Sequence, residues 1–155
     1  QSVSVTEKEF TEEVAFDLKR RFKQESIESK IMMGSEAVGE QYENRARSYD
    51  LTLVLHFGSE NNMDSNKAYV YVGNDGNMRD LACNIARELG NIKEVTDSAL
   101  KFVDSTRVDQ EDILHPMSFG PKVLVLEIGN INAAYDRNLR FSGQVSERIF
   151  KAVIS

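Results

Sequence analysis

The sequence predicts a three-layer α/β domain, a mainly parallel sheet with helices on both faces. Three observations predict it. Leu51–Phe57 and Val123–Ile128 are near-continuous apolar runs, the pattern of strands covered on both faces. Phe10, Val14, Leu18 and Phe22 recur every four residues, the pattern of an amphipathic helix. Helix and strand signals then alternate along the chain, which favours strands joined by crossover helices.

In chain order, residues 1–5 alternate and suggest a short strand or the end of a longer one. Thr6-Glu7-Lys8-Glu9 has the form of a capping box, with Thr6 as N-cap and Glu9 reaching back, and opens a helix over 7–24. Lys19, Arg20, Arg21 and Lys23 suit the negative end of that helix. Residues 27–33 read as a second strand closed by Gly34, and about 36–48 as a polar helix carrying Arg45 and Arg47. After the 51–57 strand, Ala68, Val70 and Val72 alternate with tyrosines in another strand, and Asn74-Asp75-Gly76 signals a turn. Met78, Leu81, Ala82, Ile85 and Leu89 form the next helix, with Gly90 as its stop. Residues 91–120 mix short apolar pieces with charges and show no clear element. Beyond the Val123–Ile128 strand, Gly129-Asn130 turns the chain, and Tyr135, Leu139, Val145, Ile149 and Val153 suggest a final helix or helix pair. No repeat, linker or low-complexity tract divides residues 1–155, which read as one domain.

Composition narrows the function. The 155 residues suffice for one core of ordinary size. A net charge of -6 gives no basic field for nucleic acid or an anionic membrane. No apolar run approaches the roughly 20 residues of a membrane span, and no basic-then-apolar segment of the export-signal type stands at the amino end. Cys83 is the single cysteine, which excludes an internal disulfide and a multi-cysteine metal cluster. Its setting in Leu81–Ile85 predicts a small buried thiol on a helix face.

Three residues break the local rules of their elements, and function concentrates at such breaks. His56 ends a buried strand, where open α/β sheets build their sites. Glu127 interrupts Leu126-Glu127-Ile128, where an unpaired carboxylate is costly; pairing with Arg45, Arg47 or Lys122 is the structural alternative. Glu7 lies in the first turn of a helix, where it also simply favours the helix dipole. Together, a histidine and a carboxylate are ligand types for zinc, and a second carboxylate suits a proton acceptor for water. A glutamate desolvated in a strand has the raised pKa that suits such a shuttle.

The order and context of these residues resemble the zinc-dependent N-acetylmuramoyl-L-alanine amidases, bacterial cell-wall hydrolases. Thr6-Glu7-Lys8-Glu9-Phe10 through Ala15 is similar to the segment in which a glutamate zinc ligand opens a long helix. Arg45, followed by Tyr49-Asp50 and the apolar run to His56, resembles the family's arginine, aspartate, strand and histidine. Lys122 through Asn132 resembles the strand that delivers the catalytic glutamate, with Gly129 and Asn132 in step. The resemblance implies Zn2+ held by Glu7 and His56, Glu127 as general base and then acid, peptidoglycan as substrate, and work in the bacterial cell envelope, periplasmic or extracellular. Sporulation amidases share the last motif. Two departures stand out. The family's first zinc ligand, a histidine in a glycine-rich turn upstream of the glutamate, has no counterpart in residues 1–6, and Phe57-Gly58-Ser59 replaces the usual small and amide residues. His115, in Ile113-Leu114-His115-Pro116, is the other histidine; a loop role competes with a ligand role there.

Two functions follow. The first is hydrolysis of the amide between N-acetylmuramic acid and the L-alanine of the stem peptide. The second is a catalytically inactive domain on the same scaffold that binds peptidoglycan or a protein partner. An unrelated α/β domain is the third reading. It would be favoured by a His56–Glu7 separation well beyond about 8 Å, because two ligands of one zinc at bonds of roughly 2 Å must lie close together.

Overall fold

A computed structural model describes residues 6–32, 40–74, 76, 78–104, 108, 112–132 and 139–155. The elements in order are α1 (Glu7–Gln24), α2 (Glu40–Ser48), β1 (Thr52–Phe57), β2 (Lys67–Gly73), α3 (Arg79–Gly90), β3 (Asp97–Val103), a 3₁₀ helix (Asp112–Phe119), β4 (Val123–Ile128) and α4 (Leu139–Ile154). The expected strand at 1–5, Gly34, Asp75 of the turn signal and Tyr135 lie outside the described residues.

Among the described residues the strands run β1-β4-β2-β3 across the sheet. β1 pairs with β4 and β2 with β3 in parallel, while β2 and β4 are antiparallel. Two parallel pairs joined by one antiparallel seam make the sheet mainly parallel, as expected.

Alternation along the strands assigns each residue to a face. Leu124, Leu126 and Ile128 of β4, with Ala68, Val70 and Val72 of β2, join one core with Phe10, Val14 and Leu18 of α1, Ile85 and Leu89 of α3, and Val145 and Ile149 of α4. On the other face Tyr71, Val103 and Val125 pack with Leu114 of the 3₁₀ helix. α2 joins that side, where Tyr42 meets Phe119 edge-on with ring centroids 5.2 Å apart. The 3₁₀ helix is therefore the part of the illegible 91–120 stretch that covers the second face.

α1 is anchored along its length. The Thr6 side chain accepts from the Glu9 backbone N–H at 3.1 Å, the first half of the expected capping box. Phe10 stacks on Phe141 of α4 with centroids 5.5 Å apart. Further along, the hydroxyl of Ser146, fully buried, donates to Asp17. Burial works against the charge on Asp17, but hydrogen bonds from Ser146, Arg21 and Arg20 outweigh it and hold the carboxyl below its usual range.

Three expectations need correcting. The strand expected at 27–33 is absent from its described part, residues 27–32. Ser26 takes a left-handed conformation (φ 58°) and Ile27 N–H returns to Phe22 C=O at 2.8 Å, so these residues close α1 in a Schellman-type cap. β1 is half-buried from Thr52 to His56 instead of covered on both faces, because among the described residues it pairs on one side alone. Cys83 is on α3 as expected but exposed: Ala82, Ile85, Ala86 and Leu89 form the buried stripe, and Cys83 falls outside it.

Candidate active site

The site is assembled by one aromatic contact. Phe10, one turn into α1, packs edge-on against Phe57, the last residue of β1, with centroids 4.4 Å apart. Glu7 precedes Phe10 by three residues and so lies on the same side of the helix. His56 precedes Phe57. Docking the two rings therefore brings Glu7 to His56, and the His56 Nδ1 to Glu7 Oε1 distance is 3.4 Å. The third reading loses its support at that distance.

A separation of 3.4 Å is long for a hydrogen bond, whose usual N···O distance is about 2.9 Å. It is also the spacing of another geometry. Two corners of a tetrahedral zinc site with bonds of about 2.0–2.2 Å lie roughly 3.3–3.5 Å apart. The nitrogen and carboxylate oxygen are also zinc-ligand types, and both side chains reach solvent, His56 at 28% and Glu7 at 52% exposure. The pair thus fits two positions of such an ion. Among the described residues, no group of three or more His, Cys, Asp or Glu side chains is placed to hold a metal.

Glu127 comes to the same place through the sheet. β1 and β4 pair in parallel with His56 beside Glu127, and alternation puts both on the face that carries Val54 and Val125. Of the six β4 residues, Glu127 is the one not fully buried, so its carboxylate has an outlet that its sequence neighbours lack. Of the partners considered from sequence, Arg47 instead bonds Glu43 at 2.5 Å and the Phe119 carbonyl at 3.3 Å. His115 is exposed in the 3₁₀ helix with its ring against Phe119, at 5.4 Å, so it belongs to the α2 side of the fold.

Two residues flank the site, one read from sequence only as a turn position and the other only as part of a departure from the family. Asn130, fully buried, follows β4 by two residues. Its Oδ1 accepts from the N–H groups of Glu60 (2.8 Å) and Asn132 (3.0 Å), and its Nδ2 donates to the carbonyls of Asn62 (3.0 Å) and Ser65 (2.8 Å). One amide thereby ties the whole loop after His56 to the turn after Glu127. Asn132 adds bonds from its side chain to Ser59 Oγ and the Glu60 carbonyl, both 3.2 Å. An asparagine beside a glycine reads as a turn residue, so nothing local signals the distant loop it binds.

Gly58 is the second. A Cβ there would lie 2.3 Å from the Gly129 carbonyl oxygen and 3.5 Å from Glu127 Cγ. The clash is with backbone, which cannot swing away. Gly58→Ala is expected to lower stability by about 2 kcal/mol, the scale of overpacking a tight site, measured by denaturant unfolding. Unchanged stability would show that the two strand ends separate freely.

No protein-family model and no curated protein matches the sequence. Solved structures do. The amidase AmiC2 of Nostoc punctiforme, an N-acetylmuramoyl-L-alanine amidase, superposes with a TM-score of 0.75 at 15% identity, over 96% of this chain and 82% of that one. The catalytic domain of CwlV, from Bacillus (Paenibacillus) polymyxa var. colistinus, gives 0.75 at 16% identity over 95% and 82%. An N-acetylmuramoyl-L-alanine amidase from Clostridium difficile 630 gives 0.71 at 16% identity over 97% and 83%. The chain has the amidase fold. At these identities the likeness is one of architecture, and it agrees with the resemblance carried by Glu7, His56 and Glu127. Within the amidase fold of this chain, Glu7 comes from α1, His56 from β1 and Glu127 from β4.

Proposed function

We propose that this chain is a peptidoglycan hydrolase of the N-acetylmuramoyl-L-alanine amidase type, acting in the bacterial cell envelope. The observation that carries the reading is the convergence at His56: Glu7 lies 3.4 Å from its ring and Glu127 occupies the adjacent strand position, on the amidase fold. Glu7 and His56 would hold zinc, together with a donor from outside this pair. Zinc supplies Lewis acidity there, polarising the scissile carbonyl and acidifying water.

The chain's own groups do the remaining work. Glu127 takes a proton from the attacking water and returns it to the departing nitrogen of L-alanine, serving as base and then acid. Its backbone lies one strand spacing from that of His56, about 4.8 Å. The loop held by Asn130 forms the rim over which the glycan-peptide junction enters.

The test is release of free stem peptides from purified peptidoglycan, with zinc content measured on the same sample. Activity is expected to disappear in His56→Ala and on chelation, and to return with added zinc. A zinc-loaded wild-type protein that releases no peptide would overturn the reading. A second reading is a non-hydrolytic domain that binds peptidoglycan or a protein partner. It predicts sedimentation with cell-wall sacculi unaffected by a chelator.

A further inference from the structure

The face that bears His56 and Glu127 continues across the antiparallel seam. Glu127 is in register with Tyr69 of β2, and Tyr69 with Ala99 of β3. Directly opposed residues of an antiparallel pair have Cβ atoms about 4.5–5.5 Å apart, so Tyr69 flanks Glu127 on the side away from His56. A single row therefore reads His56, Glu127, Tyr69, Ala99.

Two lysines bracket the end of this row. Lys67 stands two residues before Tyr69 on β2, next to the turn at Gly129, whose N–H bonds the Lys67 carbonyl at 2.9 Å. Lys101 starts one row further from the site, opposite Tyr71, yet its Nζ lies 4.7 Å from the Tyr69 ring centroid. Its side chain thus runs towards the site end of the sheet. Between the lysines Ala99, in register with Tyr69, contributes only a methyl group. Lys67, Tyr69, Ala99 and Lys101 are all half-buried.

Among the described residues no carboxylate lies within ion-pair distance of either ammonium. Asp97 is opposite Lys67 in register, but its carboxylate accepts from the Ser98 backbone N–H at 2.9 Å. In a chain of net charge -6, two half-buried ammonium groups that among the described residues make no ion pair suit an anionic ligand.

We propose that Lys67 and Lys101, with Tyr69 as wall, form a subsite for a free carboxylate on the peptide side of the substrate. The subsite lies between β2 and β3, one to two strand spacings from Glu127, or roughly 5–10 Å. That distance places the carboxylate about two residues beyond the scissile amide, since an extended residue spans about 3.5 Å. The inference rests on the amidase reading, which puts the scissile bond over His56 and Glu127.

The probes are two soluble muramoyl dipeptides, one with a free α-carboxylate on the second residue and one with a carboxamide there. Binding to the Glu127→Gln protein is measured by calorimetry at low ionic strength, and cleavage by the unmodified protein in parallel. The acid is expected to bind about tenfold tighter than the amide, the order of one charge-assisted contact. The Lys67→Met/Lys101→Met protein should lose that preference through weaker acid binding, with amide binding unchanged. Equal binding of the two peptides, or a preference that survives the double substitution, overturns the subsite. If both peptides are still cleaved in that event, the amidase reading stands without it. Absence of both binding and cleavage overturns the two together.

Discussion

Glu127→Gln is expected to reduce stem-peptide release by about 10²- to 10⁴-fold, the range set by losing a positioned general acid–base group. Glutamine keeps the shape of the side chain and its place in β4, between the buried Leu126 and Ile128. It cannot accept a proton at neutral pH. Stability should therefore change by less than about 1 kcal/mol, as for substitutions that preserve packing. Zinc content should stay at the wild-type level, since Glu7 and His56 are untouched. Single-turnover release from purified peptidoglycan, with metal analysis on the same preparation, reads both quantities. Full activity in the variant would remove Glu127 from the mechanism. Loss of both zinc and activity would mean that it serves as a ligand.

The largest effect on stability is expected at Asn130. Asn130→Ala deletes four hydrogen bonds in a fully buried position, two accepted and two donated. Each ordinary bond contributes about 0.5–1.5 kcal/mol net, and groups left buried without a partner cost more. A loss of about 3 kcal/mol follows, which in a domain of this size lowers Tm by roughly 6–12 °C. Calorimetric melting checks it. The loop after His56 should also exchange its amide protons faster, because Glu60 N–H loses its acceptor. A Tm within about 2 °C of wild type would mean that water replaces the amide at no cost, against the burial observed.

Much of the architecture was legible because its signals are local. The four-residue recurrence from Phe10 to Phe22 and the apolar run of Val123–Ile128 each report their own burial. The candidate site was legible through residue types in family order, and the structure brings Glu7, His56 and Glu127 to one end of β1 and β4. What escaped was set by partners far away in sequence. The antiparallel seam between β2 and β4 leaves no mark in either strand, so Tyr69 could not be placed beside Glu127. Ile27 alternates like a strand residue, but the left-handed turn at Ser26 commits it to the end of α1. Cys83 has apolar neighbours, yet a shift of one residue on a helix turns a side chain through 100° and out of the core.

The ring contact between Phe10 and Phe57 also bears on how the protein reaches its working state. Glu7 and His56 are 49 residues apart in sequence, and the β1–β4 pairing spans a longer stretch still. No helix or hairpin formed early by local contacts holds two of the three candidate groups, so the site is completed only when the slow, non-local pairings close. An unfolded or half-folded chain has no preformed pair to offer a ligand. Whatever engages Glu7 and His56 together therefore binds the native state selectively, and stabilises it in proportion to the logarithm of ligand concentration.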